Sequence, residues 1–120
     1  MAERDEGGFD FQKLDVYRCA IQFVVVAARV IEGLPSGQHS LADQLRRAAF
    51  SIPVNVAEGV GRSSVGDRRR HFAIARGSAM ECAAILDVCG VLGLAEALLV
   101  SEGSGLLIRV VRMLTRMCRM

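Results

Sequence analysis

From Leu41 to Gly59 the apolar residues Leu41, Leu45, Ala48, Ile52, Val56 and Gly59 recur at spacings of three and four, and the run passes straight through Pro53. That period marks one buried face of an α-helix. A proline inside a helix removes the bond to the carbonyl four residues back, here Ala49, and its ring clashes with that carbonyl, at a cost of about 3 kcal/mol. Burial of the stripe on both sides offsets that cost, so the spacing predicts a helix that bends at Pro53 and continues.

Three further stripes accompany it. Leu14, Tyr17, Ile21, Val24, Ala28 and Ile31 predict a first helix over residues 10–33, ended by "EGLPSG" with Gly33 as a left-handed cap and Pro35 barring continuation. After the break at "GVGRSS", Ser64 and Asp67 have the spacing of a capping box that opens a third helix. Phe72, Ala75, Ala79, Cys82, Leu86 and Cys89 are its seam, and Gly93 closes it. From about Ala95 onward Leu106, Val110, Met113 and Met117 run beside Leu107, Val111, Leu114 and Cys118. Gly103 and Gly105 each weaken that helix by about 1 kcal/mol, yet the stripes carry across them and predict continuity. Four amphipathic helices on short connections predict an all-α, antiparallel up-and-down four-helix bundle. Residues 10–120 are expected to form this single domain, behind a flexible acidic tail over residues 1–9.

Composition agrees with helices. Of the residues, 52% are hydrophobic, but there are only five Phe, one Tyr and no Trp, so aliphatic side chains must close the core at short helix separations. Runs such as "FVVVAARVI" and "LGLAEALLV" are broken by Arg29 and Glu96 and fall short of the roughly 20 apolar residues of a membrane span. The start "MAERDEGG" lacks the basic and apolar parts of a signal peptide, which predicts a cytoplasmic protein without membrane contact. Cys19, Cys82, Cys89 and Cys118 show no CxxC spacing and read as small reduced hydrophobes. Val25 and Val26 on helix one and the paired stripes of helix four leave apolar surface beyond one seam, which predicts self-association.

No catalytic, metal or cofactor site emerges. "GVGRSSVG" supplies half of a dinucleotide loop, with Ser64 at the third glycine position and no strand before it. The two histidines, His39 and His71, lie in no metal-ligand pattern, and no nucleophile has a convincing base, so no enzyme is expected. A polar stripe is more informative: Arg47, Ser51, Asn55, Glu58 and Arg62 lie on one side of helix two, with Arg76, Ser78 and Glu81 as counterparts on helix three. The pattern suits a structural network that serves backbone groups freed by Pro53 and pins helix two to helix three. A ligand site around Asn55, Glu58 and Arg62 is the alternative.

The cations are almost all arginine and unevenly placed. Arg68, Arg69 and Arg70 open helix three, and Arg109, Arg112, Arg116 and Arg119 share a face of helix four. Guanidinium groups pair bidentately with phosphate, and several such contacts give salt-sensitive binding to nucleic acid. A solvated face that complements the helix-four C-terminal dipole explains the same residues. Repetition around an oligomer favours binding.

"LDVYRCAIQF", "LADQLRRAAFSIPVNVAEGVGRSS" and "HFAIARGSAMEC" together resemble the four-helix-bundle proteins encoded in intervening sequences of bacterial 23S ribosomal RNA genes. They are also similar to the accessory variability determinant of diversity-generating retroelements. The matching positions include Gln44, Arg46, Arg47, Ile52, Pro53, Asn55, Glu58, Gly59, Gly61, Arg62, Ser63, Phe72, Ala75, Gly77, Ser78 and Glu81. The resemblance implies a ring-like homopentamer with a non-enzymatic role. It also implies nucleic-acid binding for the retroelement branch. RNA or a ribonucleoprotein is therefore the expected partner, and a scaffold for protein contacts is the alternative.

Overall fold

The computed structural model describes residues 8–119. A short 3-10 turn, Asp10–Lys13, leads into four helices: α1 (Asp15–Glu32), α2 (His39–Gly61), α3 (Val65–Val91) and α4 (Ala97–Met117). No strand occurs among the described residues. The tail expected over residues 1–9 falls, for residues 1–7, outside them.

Each helix packs on two others: α1 and α3 both touch α2 and α4, while the diagonal pairs stay apart. The four faces enclose one core, in which Phe23, Leu45, Ile52, Leu86, Leu107 and Leu114 are fully buried. It is an all-α four-helix bundle. The seam read for α3 is buried throughout, joined by His71 and Ile85. Ser64 caps that helix as its sequence requires, its Oγ accepting from the Asp67 amide at 3.1 Å.

α2 is unbroken through Pro53, which is itself buried between Ile52 and Val56. Burial of the stripe on both sides of the proline is the compensation that its missing bond demands. α4 likewise runs through Gly103 and Gly105, and the reason differs between the two. Gly103 is buried where α4 crosses the core: a Cβ there would stand 2.7 Å from Leu86 Cδ1 and 3.3 Å from both Phe23 and Val26. Its missing side chain is the space that lets α4 approach. Around Gly105 nothing lies within 4 Å.

Three expectations for the start of the bundle need correction. Helix one does not begin at residue 10, because Leu14 adopts an extended conformation (φ −78°, ψ 136°) that separates the turn from α1. Its buried face is Val16, Cys19, Ala20, Phe23, Val26, Ala27 and Val30, not the stripe from Leu14 to Ile31. α1 has two adjoining apolar faces. The one that carries Phe23 among small residues fits against Gly103, which leaves Ile21 and Val25 exposed. Finally, Gly33 is right-handed (φ −85°), since the chain turns later, at Gly37 (φ 96°) beyond Pro35. Gly93 (φ 67°) is the left-handed residue that closes α3.

These packing differences separate the two glycines of α4 experimentally. Gly103→Ala should lower stability by about 1–3 kcal/mol through overpacking against Leu86. Gly105→Ala should raise it by about 0.5–1 kcal/mol through helix propensity alone. Urea unfolding followed by circular dichroism distinguishes them, and equal effects would contradict this packing.

Candidate nucleic-acid interface

Contacts between helix ends determine where the arginines gather. A Cβ on Gly59, near the end of α2, would come within 2.5 Å of Phe72 Cε1, so the glycine lets the start of α3 fold back against it. The first turn of α1 shares a groove with the last turn of α4, lined by Leu14, Asp15, Val16, Met113, Arg116 and Met117. Arg69, at the start of α3, reaches across to the Arg119 carbonyl with an N–H at 3.5 Å. One end of the bundle therefore holds Arg62, Arg68, Arg69, Arg70, Arg116 and Arg119. Two segments far apart in sequence, each rich in arginine, become one basic surface.

The two groups differ in how far the protein engages them. Arg68 donates to the Arg62 carbonyl (3.4 Å), a group left open by the end of α2. Arg70 stands 4.0 Å from Asp67 and donates to His71 Nε2 (3.3 Å). These arginines of α3 hold helix ends together as well as carrying charge. On α4, by contrast, Arg109, Arg112 and Arg116 are exposed and their side chains make no hydrogen bond or ion pair among the described residues. Spaced at three and four, they form a stripe that runs down to the basic end. It is the face best supplied with unengaged guanidinium groups.

The polar stripe resolves into separate arrangements. Ser78 Oγ donates to Ser51 Oγ (2.8 Å), and Asn55 Nδ2 donates to both Ser51 Oγ (3.0 Å) and the Ser51 carbonyl (2.9 Å). With its amide nitrogen so used, Asn55 offers Oδ1 to His71 Nδ1 at 3.0 Å. An amide oxygen only accepts, so His71 carries its hydrogen on Nδ1 and presents Nε2 as the acceptor facing Arg70. His71 is only 6% exposed, and this chain of bonds gives its ring two partners between α2 and α3. The carbonyl that Asn55 serves is Ser51's, two residues beyond the one Pro53 frees.

The other members of the stripe lie elsewhere. Glu58 and Arg62 form an exposed pair at 3.2 Å. Arg47 and Glu81 are exposed and stand outside the chain of bonds. Arg76 turns to α4, where its Nε donates to Thr115 Oγ1 (2.8 Å), and that hydroxyl donates to the Val111 carbonyl (2.7 Å). Asn55, Glu58 and Arg62 are thus not gathered around a common cavity. His71 and Thr115 went unread in the sequence. A signal existed for His71: it precedes Ala75, Ser78 and Cys82 at four, seven and eleven residues, on the buried side of α3.

Among the described residues no three metal-ligating side chains come together. Burial, with the neighbouring Glu81 carboxylate adding to it, pushes the Cys82 thiol up to about 12, and burial also raises Cys89. A thiol so shifted stays protonated and unreactive. No described helix is long and apolar enough to cross a membrane.

These features define a bundle of four helices with arginines concentrated at one end and along one outer helix face. The chain belongs to the family of 23S rRNA-intervening sequence proteins, whose model matches residues 12–116. Its fold is that of a crystal structure from Bacteroides thetaiotaomicron described as a protein of unknown function from the S23 ribosomal protein family. The TM-score is 0.80 and the identity 18%, over 88% of this chain and 99% of that one. No curated protein matches the sequence.

The bond chain between α2 and α3 predicts a sharp contrast. Asn55→Ala leaves a buried imidazole N–H without its partner and should cost about 1–3 kcal/mol. Glu58→Gln, which removes only an exposed ion pair, should stay within about 0.5 kcal/mol of the parent. Chemical denaturation of both variants checks the difference; a larger effect at Glu58 would contradict the arrangement.

Proposed function

We propose that the protein is a non-catalytic, self-associating bundle that binds structured RNA, free or within a ribonucleoprotein, through its arginine surface. The observation that carries this reading is the stripe of Arg109, Arg112 and Arg116, whose side chains have no partner among the described residues, continuous with the basic end. Guanidinium groups left to solvent in a row are suited to phosphates spaced along a backbone, and they confer affinity rather than sequence choice. No aromatic residue lies on α4 beside these arginines to stack single-stranded bases, which favours a folded RNA on this face.

Self-association is supported by apolar surface on opposite sides of the bundle. Ile21, Val25, Phe50 and Val54 lie exposed on α1 and α2, and Ile74, Met80, Val88 and Ile108 on α3 and α4. The resemblance noted in the sequence suggests five copies. A cytoplasmic location follows from the same reading. The exposed apolar faces also support a second reading, a scaffold for protein contacts in which the arginines only solvate the surface.

Fluorescence anisotropy separates the two. Labelled structured RNA, single-stranded RNA and duplex DNA are titrated with the oligomer over a salt series. Binding by three or four arginines should make log affinity fall with log salt at a slope of about −3. R109E/R112E/R116E should abolish binding and leave the sedimentation coefficient unchanged. Flat titrations at low salt would retire RNA binding in favour of the scaffold.

A further inference from the structure

α3 and α4 meet along an outer seam that a series of contacts defines. At the basic end Arg69 reaches the Arg119 carbonyl. Next, Arg76 Nε donates to Thr115 Oγ1 at 2.8 Å. Beyond them Met80, about one turn after Arg76, shares a groove with Arg112, about one turn before Thr115. Helical spacing puts Arg69, Arg76 and Met80 on one line of α3, and Arg112, Thr115 and Arg119 on the facing line of α4.

Arg76 differs from the other arginines of this seam. It is half-buried, whereas Arg69, Arg112 and Arg119 are exposed. A guanidinium cannot shed its charge, so a partly buried one is stable only with partners that replace water. Among the described residues Arg76 has no carboxylate partner, and its bond is to a neutral hydroxyl. Asp67 stands beside Arg70, and Glu81 falls on another face of α3. Asp87 shares the line of Arg76 but lies about 16 Å further along the helix. Asp15 lies on the far side of α4, in the groove with Arg116. The charged groups next along the seam are other arginines.

The same side chain has a fixed orientation. Thr115 Oγ1 donates in turn to the Val111 carbonyl (2.7 Å), so the hydroxyl that receives Nε is itself held. Nη1 and Nη2 make no bond among the described residues. They are a parallel pair of donors matched to two oxygens of one phosphate. The rotamer freedom that a surface arginine loses on binding is already lost here.

The geometry points to a phosphate site in the seam between α3 and α4, with Arg76 as its oriented ligand and Arg112 as the second cation. It takes a phosphate group with two free oxygens, inorganic or within an RNA backbone. The second source rests on the RNA-binding reading and deepens it. The α4 stripe supplies charge without fixed position. Arg76 supplies one fixed contact, which sets the register in which an RNA strand lies.

The test uses the full chain. In its first arm the arginine Nε–H resonances are followed while inorganic phosphate is added at constant ionic strength. Arg76 and Arg112 should shift along one saturating curve, while Arg29, at the opposite end beside Glu96, stays in place. T115V, which takes away the hydroxyl that orients Arg76, should weaken phosphate binding about tenfold, and T115S should restore it. A linear drift of all arginines together, or equal affinity in T115V and the parent, overturns the site.

The second arm replaces phosphate with structured RNA. R76K keeps the charge but loses the planar fork, and should bind about tenfold more weakly than the parent. R29K, the same exchange at the far end, should bind as the parent does. If R76K and R29K bind alike and phosphate leaves Arg76 unmoved, the site is wrong and RNA binding stands. If phosphate saturates Arg76 while no RNA binds, the site stands with the free anion as its ligand and the RNA reading falls.

Discussion

The close approach of Gly59 to Phe72 is the constraint on which the rest of the molecule depends. With no Cβ at position 59, an aromatic ring fits against the backbone of α2, and the chain reverses across Arg62, Ser63 and Ser64. That reversal brings the arginine-rich opening of α3 beside the end of α2. Gly103 plays the corresponding part in the core, letting α4 close on Phe23, Val26 and Leu86. Once both approaches are made, the last turn of α4 falls beside the first turns of α1 and α3. Arginines separated by some fifty positions in sequence then share one end.

Interior polarity gives specificity to an otherwise aliphatic contact. Ser78, Ser51, Asn55 and His71 form an uninterrupted run of hydrogen bonds between α2 and α3, flanked by Ala48, Ile52, Ala75 and Ala79 in the core. Small apolar side chains alone permit helices to slide by a turn at modest cost. A buried imidazole that must find an amide oxygen does not, because a slip leaves both unsatisfied. Arg76 and Thr115 make the equivalent tie between α3 and α4. α3 is thereby fixed on both sides, which suits the helix whose N-terminal arginines anchor the basic end.

Periodicity made the helices legible, and chemistry at particular positions decided what it could not. For α2 and α3 the seam read from spacing falls on the buried side, although Phe50, Val54, Ile74, Met80 and Val88 add apolar surface outside it. α1 offered two apolar faces, and the choice between them turned on the fit of Phe23 to a glycine eighty residues away. No local pattern contains that information. Leu14 and Gly33 were misread for a related reason: a stripe shows where a helix can extend, and backbone turns decide where it stops. In the polar stripe, shared helix face did not mean shared partners. Glu58 and Arg62 satisfy each other in solvent, Arg76 serves α4, and His71 entered from a position that sequence alone presented as an isolated histidine. The two arginine segments were visible in the sequence, but their convergence and the different engagement of each required the fold.

For function, the decisive distinction is between arginines that hold the protein together and those left to solvent. Arg68 and Arg70 do the first, at a helix end and a buried imidazole; Arg109, Arg112 and Arg116 do the second. On the proposed function, phosphate meets the outer face of α4 and the adjoining basic end. Arginine-specific modification with phenylglyoxal, mapped by mass spectrometry with and without structured RNA, tests it most directly. Protection by RNA should concentrate at Arg109, Arg112, Arg116 and Arg119, while Arg29 and Arg46 remain as reactive as in the free protein. Uniform protection of all of them, or none at the α4 stripe, would contradict the account.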